Sequence, residues 1–194
     1  MSLVLVLASN NPDKAAEIRA ILGTALPGVD LRPRPADLGE VDETGDTLEE
    51  NARLKAVAIA GATRLPAVAD DTGLEVAALD GAPGVRSSRY AGEHATYADN
   101  VAKLLAAMAG KPERAARFRT VAIVCWPDGR EVIADGAVDG RIATEARGSS
   151  GFGYDPVFEP DGGGGLTFAE LGPEGKQRLS HRARAFRALA EKLR

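Results

Sequence analysis

At 194 residues the chain is long for one small domain and short for two independent ones, so a single compact domain over residues 1–194 is expected. Hydrophobic residues make up 44% and charged residues 27%, the balance of a soluble globular protein rather than a disordered or fibrous one. A formal net charge of -4 speaks against a nucleic-acid binder or a binder of anionic membranes, either of which needs a basic surface.

The one cysteine, Cys125, excludes an intramolecular disulfide and a cysteine-based zinc cluster. It lies in the apolar run from Val121 to Trp126 and is expected to be a buried, inert thiol. The apolar start from Leu3 to Ala8 is too short for a secretory signal, and no stretch approaches the length of a membrane span. A cytoplasmic location is expected.

The run from Leu3 to Ala8 reads as a strand buried on both faces. Asn11 then caps a helix with Pro12 in its first position, Asp13 in its first turn, and Ile18, Ile21 and Leu22 at helical spacing as far as Gly23. A loop from Pro27 to Thr44 leads to a second helix, opened by a Thr47/Glu50 capping box and running through Ala52, Leu54, Val57 and Ile59. Ala67-Val68-Ala69 is predicted as a short strand that ends at Asp70-Asp71-Thr72-Gly73, followed by a separate apolar segment from Leu74 to Leu79. Thr96 with Asp99 starts a helix ending near Gly110. Phe118 to Trp126 and Arg130 to Val138, around Pro127-Asp128-Gly129, read as a hairpin. A polar loop from Gly148 to Asp155 opens onto Pro156-Val157-Phe158, Gly162 to Gly165 is a surface turn, and Ser180 is expected to cap a final helix carrying Phe186, Leu189 and Leu193. Helices alternating with buried strands and one hairpin place the chain in the α/β class, with a long mixed central sheet and flanking helices.

Ser9-Asn10-Asn11-Pro12-Asp13-Lys14 joins a strand to a helix and so gathers unpaired backbone N–H groups, a helix dipole and an ammonium, a combination that suits a phosphate. Taken alone, the hexapeptide is an ordinary capped helix with a solvated lysine. Gly175-Lys176 is not a Walker A loop: Glu170 stands where the first glycine should be and Gln177 where Ser or Thr should follow. Asp70 and Asp71 are adjacent, so a strand turns them to opposite faces and gives them different jobs. Taken alone, Asp70-Asp71-Thr72-Gly73 is better explained as carboxylates that tie a turn. Glu43 precedes the second helix, Lys55 lies one turn after Asn51 on the same face, and the Glu49/Arg53 pair reads as surface support. The only histidines, His94 and His181, have no metal-ligand spacing, so carboxylate and phosphate oxygens would suit magnesium.

Six segments occur in an order and spacing that resemble the inosine triphosphate pyrophosphatase family. They are Ser9 to Lys14, Glu43-Thr44-Gly45, Glu50 to Ala56, Asp70 to Leu74, Phe152 to Pro156, and Ser180-His181-Arg182. Gly81 to Gly84 and Ser88-Arg89-Tyr90 also match its central stretch, so the resemblance covers essentially the whole chain.

The resemblance implies a long mixed sheet, two lobes around a nucleotide-binding cleft, and a homodimer. It implies hydrolysis of inosine, deoxyinosine or xanthosine triphosphate to the monophosphate and pyrophosphate. It assigns Ser9, Asn11 and Lys14 with Lys55 to the triphosphate, Asn10, Pro12, Asp13 and Thr72 to substrate binding, Glu43 and Asp71 to Mg²⁺, and proton acceptance to Asp71. Phe152, Gly153, Tyr154, Asp155, Lys176, His181 and Arg182 would meet the base, the rings by stacking and the polar groups by reading its edge. Thr72 stands where the family commonly has Ser, Asn10 where it often has Gly, and Tyr154 where some members have Trp. Core packing is the competing account of Phe152 and Tyr154. Two rival functions are a pyrophosphatase for another modified nucleotide and a nucleotide sensor without turnover.

Overall fold

The structure, a computed structural model, describes residues 3–194. Its strands are β1 (Val4–Leu7), β2 (Asp30–Arg32), β3 (Ala67–Val76), β4 (Pro83–Gly84), β5 (Ala115–Cys125), β6 (Glu131–Ile142) and β7 (Phe158–Pro160). Its helices are α1 (Pro12–Ala25), α2 (Leu48–Thr63), α3 (Tyr97–Ala107), α4 (Phe168–Leu179) and α5 (His181–Lys192). The strands form a mixed sheet of order β2-β1-β3-β5-β6-β7, with β4 paired to β3. β1 is parallel to β2 and β3, whereas β4 runs antiparallel to β3 and β7 antiparallel to β6.

The chain divides into two compact units. The first comprises residues up to Asp71, Thr120–Gly136 and Arg182–Arg194; the second comprises Thr72–Arg119 and Ala137–His181.

In the first unit, Leu5 and Leu7 of β1, Val68 of β3 and Val124 of β5 share a core with Ile18 and Leu22 of α1 and Phe186 and Leu189 of α5. The expected cap of α1 is present: Asn11 Oδ1 accepts from the N–H groups of Asp13 and Lys14 at 2.9 and 3.1 Å, and Pro12 occupies the first turn. α2 opens with the expected box, Thr47 Oγ1 accepting from Glu50 N while the Glu50 carboxylate accepts from Thr47 N. Leu54 and Val57 are 38% and 54% exposed, and α2 instead turns Asn51 and Lys55 inward with Ala52, Ala56 and Ile59. Cys125 is buried, as expected, and burial pushes its thiol up to about 11.

The second unit has its own core of Leu74, Val76, Leu104, Met108, Phe118, Val138, Phe158 and Phe168. α3 begins with the expected Thr96/Asp99 capping box. Among the described residues no helix is long and apolar enough to cross a membrane.

Two expectations are corrected, and one helix that the sequence does not reveal is added. The loop from Pro27 to Thr44 contains β2, a three-residue strand whose exposed, half-buried, exposed pattern carries little apolar signal. Asp70-Asp71-Thr72-Gly73 does not end a strand: β3 continues through it to Val76, because the carboxylates find cationic partners that let a polar stretch be buried. The segment preceding Ser180 is helical. α4 contains Gly172, at φ 68, and Pro173, which interrupt the periodicity that would have revealed it. Ser180 is thus the extended residue separating α4 from α5. The hairpin stands with longer arms than expected, closed by Gly129 N donating to Trp126 O at 3.0 Å.

Candidate functional site

In the first unit the turn from Ser9 to Lys14 is wound on its own side chains. Ser9 Oγ accepts from Asn11 N at 3.2 Å, and the Asn11 carboxamide takes the N–H groups of Asp13 and Lys14. The sequence suggested unpaired N–H groups here, and this is a correction: Asn11 caps them, so Lys14 and the dipole of α1 supply the positive character. Asn10, Pro12 and Asp13 are exposed, and Ser9, Asn11 and Lys14 are half-buried.

β3 presents its two carboxylates to different cations, as expected for adjacent strand positions. Asp70 Oδ2 lies 3.8 Å from Lys14 Nζ and accepts from Nε and Nη2 of Arg182 at 3.2 Å each. Arg182 Nη1 donates in turn to Glu17 of α1 at 2.6 Å. Burial by itself would raise the Asp70 carboxyl, but Lys14 and Arg182 hold it well below the usual carboxylate range. Burial lowers the Lys14 ammonium despite the attraction of Asp70.

Asp71 faces α2. Its Oδ1 lies 3.2 Å from Lys55 Nζ, and its Oδ2 accepts from Asn51 Nδ2 at 3.5 Å. The same ammonium donates to Glu43 Oε1 at 2.7 Å. Burial raises the Asp71 carboxyl even with Lys55 opposing it. Burial would lower Lys55, but Asp71 and Glu43 together raise it, so the lysine stays charged. The arrangement is a more than ordinarily basic carboxylate beside a fixed ammonium and a second carboxylate. It can accept a proton, bind an anion, or hold a hard cation through oxygen. Among the described residues no cluster of three or more His, Cys, Asp or Glu has a metal-binding arrangement.

In the second unit the Asp155 carboxylate organises the loop from Gly148 to Asp155. It accepts from Phe152 N at 2.9 Å and from Lys176 Nζ at 2.5 Å. Gly151, at φ 78, is required here: a Cβ would lie 2.1 Å from Asp155 Oδ2. The Lys176 ammonium sits 4.3 Å from the centre of the half-buried Phe152 ring. Tyr154 belongs to the core, its hydroxyl donating to Ser87 O at 2.8 Å and burial raising its phenol. His181 is buried and stacks on Phe118 at 4.4 Å. Gly153 and Thr72 are half-buried.

The structure therefore joins Lys14 to Asp70 and Arg182, Glu43 to Lys55 and Asp71, and Phe152 to Asp155 and Lys176. Arg182 makes its ion pairs with Asp70 and Glu17, not with the Phe152 group it was expected to accompany. Sequence reasoning gave no site role to Asp70, Asn51 or Glu17. Glu17 lies one turn after Lys14 on α1 and Asn51 one turn before Lys55 on α2, spacings that could have singled both out; Asp70 carries no such local signal.

The model of the Ham1 family matches residues 5–192. A dITP/XTP pyrophosphatase of Methylococcus capsulatus is 48% identical over 195 residues, covering 98% of this chain and 96% of that relative. One from Leifsonia xyli is 45% identical, covering 98% and 95%. Among solved structures, a HAM1 protein from Coxiella burnetii matches with a TM-score of 0.88 at 41% identity over 98% of both chains. A nucleoside-triphosphatase / dITP/XTP pyrophosphatase from Mycobacterium abscessus matches with a TM-score of 0.76 at 43% identity, covering 99% of this chain and 100% of that one. The ordered motifs, the mixed sheet and these near full-length matches agree: the chain belongs to the Ham1 family.

Proposed function

We propose that this protein hydrolyses non-standard purine nucleoside triphosphates, those of inosine, deoxyinosine and xanthosine, to the monophosphate and pyrophosphate. The observation that carries the reading is the set Glu43, Lys55 and Asp71, which puts a proton acceptor and an anion-binding ammonium side by side in a family whose relatives bear the pyrophosphatase name.

In this reading Asp71, its basicity raised by burial, takes a proton from the attacking water. The new bond forms to the α-phosphorus, the bond to the bridging oxygen of the β-phosphate breaks, and the leaving pyrophosphate carries that electron pair away. Lys55 and Lys14 offset the charge on the leaving group, and Ser9, Asn10, Asn11, Pro12, Asp13 and Thr72 shape the binding surface around it.

Glu43 and Asp71 offer only oxygen donors on either side of Lys55, which fits magnesium held by one or two carboxylates and substrate phosphates. When bound, magnesium supplies polarisation of the phosphoryl oxygens. Asp155, Lys176, His181 and Arg182 read the base edge and Phe152 offers it a ring. Gly153 gives the loop its turn, and Tyr154, with its ring in the core, holds that loop in place. A homodimer and a cytoplasmic location complete the proposal; family resemblance supports the first and the single buried thiol the second.

Asp71→Asn tests the reading. It keeps the shape of the side chain and removes the base, so turnover should fall by roughly 10²–10⁴-fold while monophosphate affinity holds and the protein still folds. Near-normal turnover in the folded variant would move the proton acceptor elsewhere.

A further inference from the structure

Asn51 occupies the fourth position of α2 and is completely buried. That is a poor place for asparagine, which forms helix less readily than alanine and whose buried amide is costly unless hydrogen-bonded at both ends. Both ends are used. Oδ1 accepts from Gly45 N at 2.8 Å, and Nδ2 donates to Asp71 Oδ2 at 3.5 Å.

The first bond fixes the sense of the second. A backbone N–H only donates, so the oxygen of the carboxamide must face Gly45, and the NH₂ group must face Asp71. One helical turn on, Lys55 holds the other oxygen of Asp71 at 3.2 Å, so α2 grips both carboxylate oxygens from one face. The opposite end of the amide sets the loop carrying Glu43, two residues before Gly45. That loop comes so close that a Cβ on Gly45 would lie 2.5 Å from Glu50 Cβ and 2.8 Å from Asn51 Oδ1.

We propose that Asn51 is a positioning residue for the reaction. It fixes the orientation of Asp71 directly and the place of Glu43 through Gly45, and so sets the two carboxylates relative to each other. The proposal rests on the roles given above to Asp71 and Glu43. Groups that orient metal-binding or catalytic side chains in this way are typically worth about 10–100-fold in activity or metal affinity.

The experiment is a double-mutant cycle of Asn51→Ala and Asp71→Asn, with Asn51→Leu as a variant that keeps side-chain volume. Measurements are kcat, KM for inosine triphosphate, melting temperature, and Mn²⁺ binding followed by electron paramagnetic resonance with a non-hydrolysable triphosphate analogue. With Asp71 intact, Asn51→Ala and Asn51→Leu should lower kcat about 10–100-fold, leave KM within about twofold and weaken Mn²⁺ by a similar 10–100-fold. In the Asp71→Asn background, removing Asn51 should cost little further turnover, since the group it orients is already gone. An equal loss in both backgrounds, or unchanged kcat and Mn²⁺ affinity, overturns the positioning role while leaving Asp71 as the base. Near-normal turnover of Asp71→Asn alone overturns the assignment of Asp71 and this proposal with it.

Discussion

Asp70 and Arg182, 112 positions apart in the chain, are joined by two hydrogen bonds of 3.2 Å with both side chains almost wholly buried. Lys14 and Glu17 of α1 extend the pair into a four-residue network that ties β3 and α5 to the helix after the first strand. Removing one member of a buried ion pair leaves its partner uncompensated, which typically costs about 3–5 kcal/mol. Asp70→Asn should therefore destabilise the protein by about that amount in urea unfolding. A loss under about 1 kcal/mol would show that the network holds little of the fold together.

The same carboxylate predicts a pH dependence. Its folded value lies below its unfolded one, so its contribution is fully present above the unfolded carboxylate range, near about 4, and is lost as pH falls through the folded value. Wild-type stability should drop on acidification below about pH 5, and Asp70→Asn should flatten that slope. Parallel curves for the two proteins would assign acid sensitivity to other groups.

Lys55 contacts both Glu43 and Asp71, and Lys14 contacts Asp70, so carboxylates anchor each of the two ammonium groups that the proposed function assigns to the polyphosphate. Lys14→Ala and Lys55→Ala should weaken a non-hydrolysable triphosphate analogue much more than the monophosphate product in calorimetric titrations. Equal weakening of the two ligands would place the lysines away from the phosphates being cleaved.

In the proposed reading, Asp155 is the residue that spares adenine nucleotides. The carboxylate is held beside Lys176 and the Phe152 N–H, and as an acceptor it suits the N1–H of hypoxanthine or xanthine and opposes the bare N1 of adenine. Sites that leave such groups unpaired discriminate by roughly 10⁴–10⁵-fold. Asp155→Asn, whose amide can donate to adenine N1, should narrow the ratio of kcat/KM for inosine over adenosine triphosphate. An unchanged ratio in a folded variant would remove Asp155 from base selection.

Local chemistry made much of this legible from the sequence. The caps at Asn11, Thr47 and Thr96 are written within four residues of the helices they start, and each stands where expected. β2 and α4 were hidden for the opposite reason: β2 alternates exposed and half-buried positions over only three residues, and Gly172-Pro173 breaks the period of α4. The run through Asp70 and Asp71 looked like the end of a strand because nothing nearby reveals that Lys14, Lys55 and Arg182 will neutralise it. Leu54 and Val57 marked α2 as a helix but not its buried face, which is set by Asn51 and Lys55 turning toward Asp71. In the site, the ordered motifs single out Glu43, Lys55 and Asp71 one by one, but not the ion pairs that join them. The jobs of Asp70, Glu17 and Asn51 depend on partners brought close only by folding.

The central claim is the bond that is cut and the base that is chosen. Purified protein with Mg²⁺ should be offered the triphosphates of inosine, deoxyinosine, xanthosine, adenosine and guanosine, with pyrophosphate and orthophosphate measured separately. One pyrophosphate per monophosphate is expected from the first three, with no orthophosphate and far lower kcat/KM for adenosine and guanosine triphosphates. Release of orthophosphate with accumulation of diphosphate, or equal turnover of all five, would contradict it.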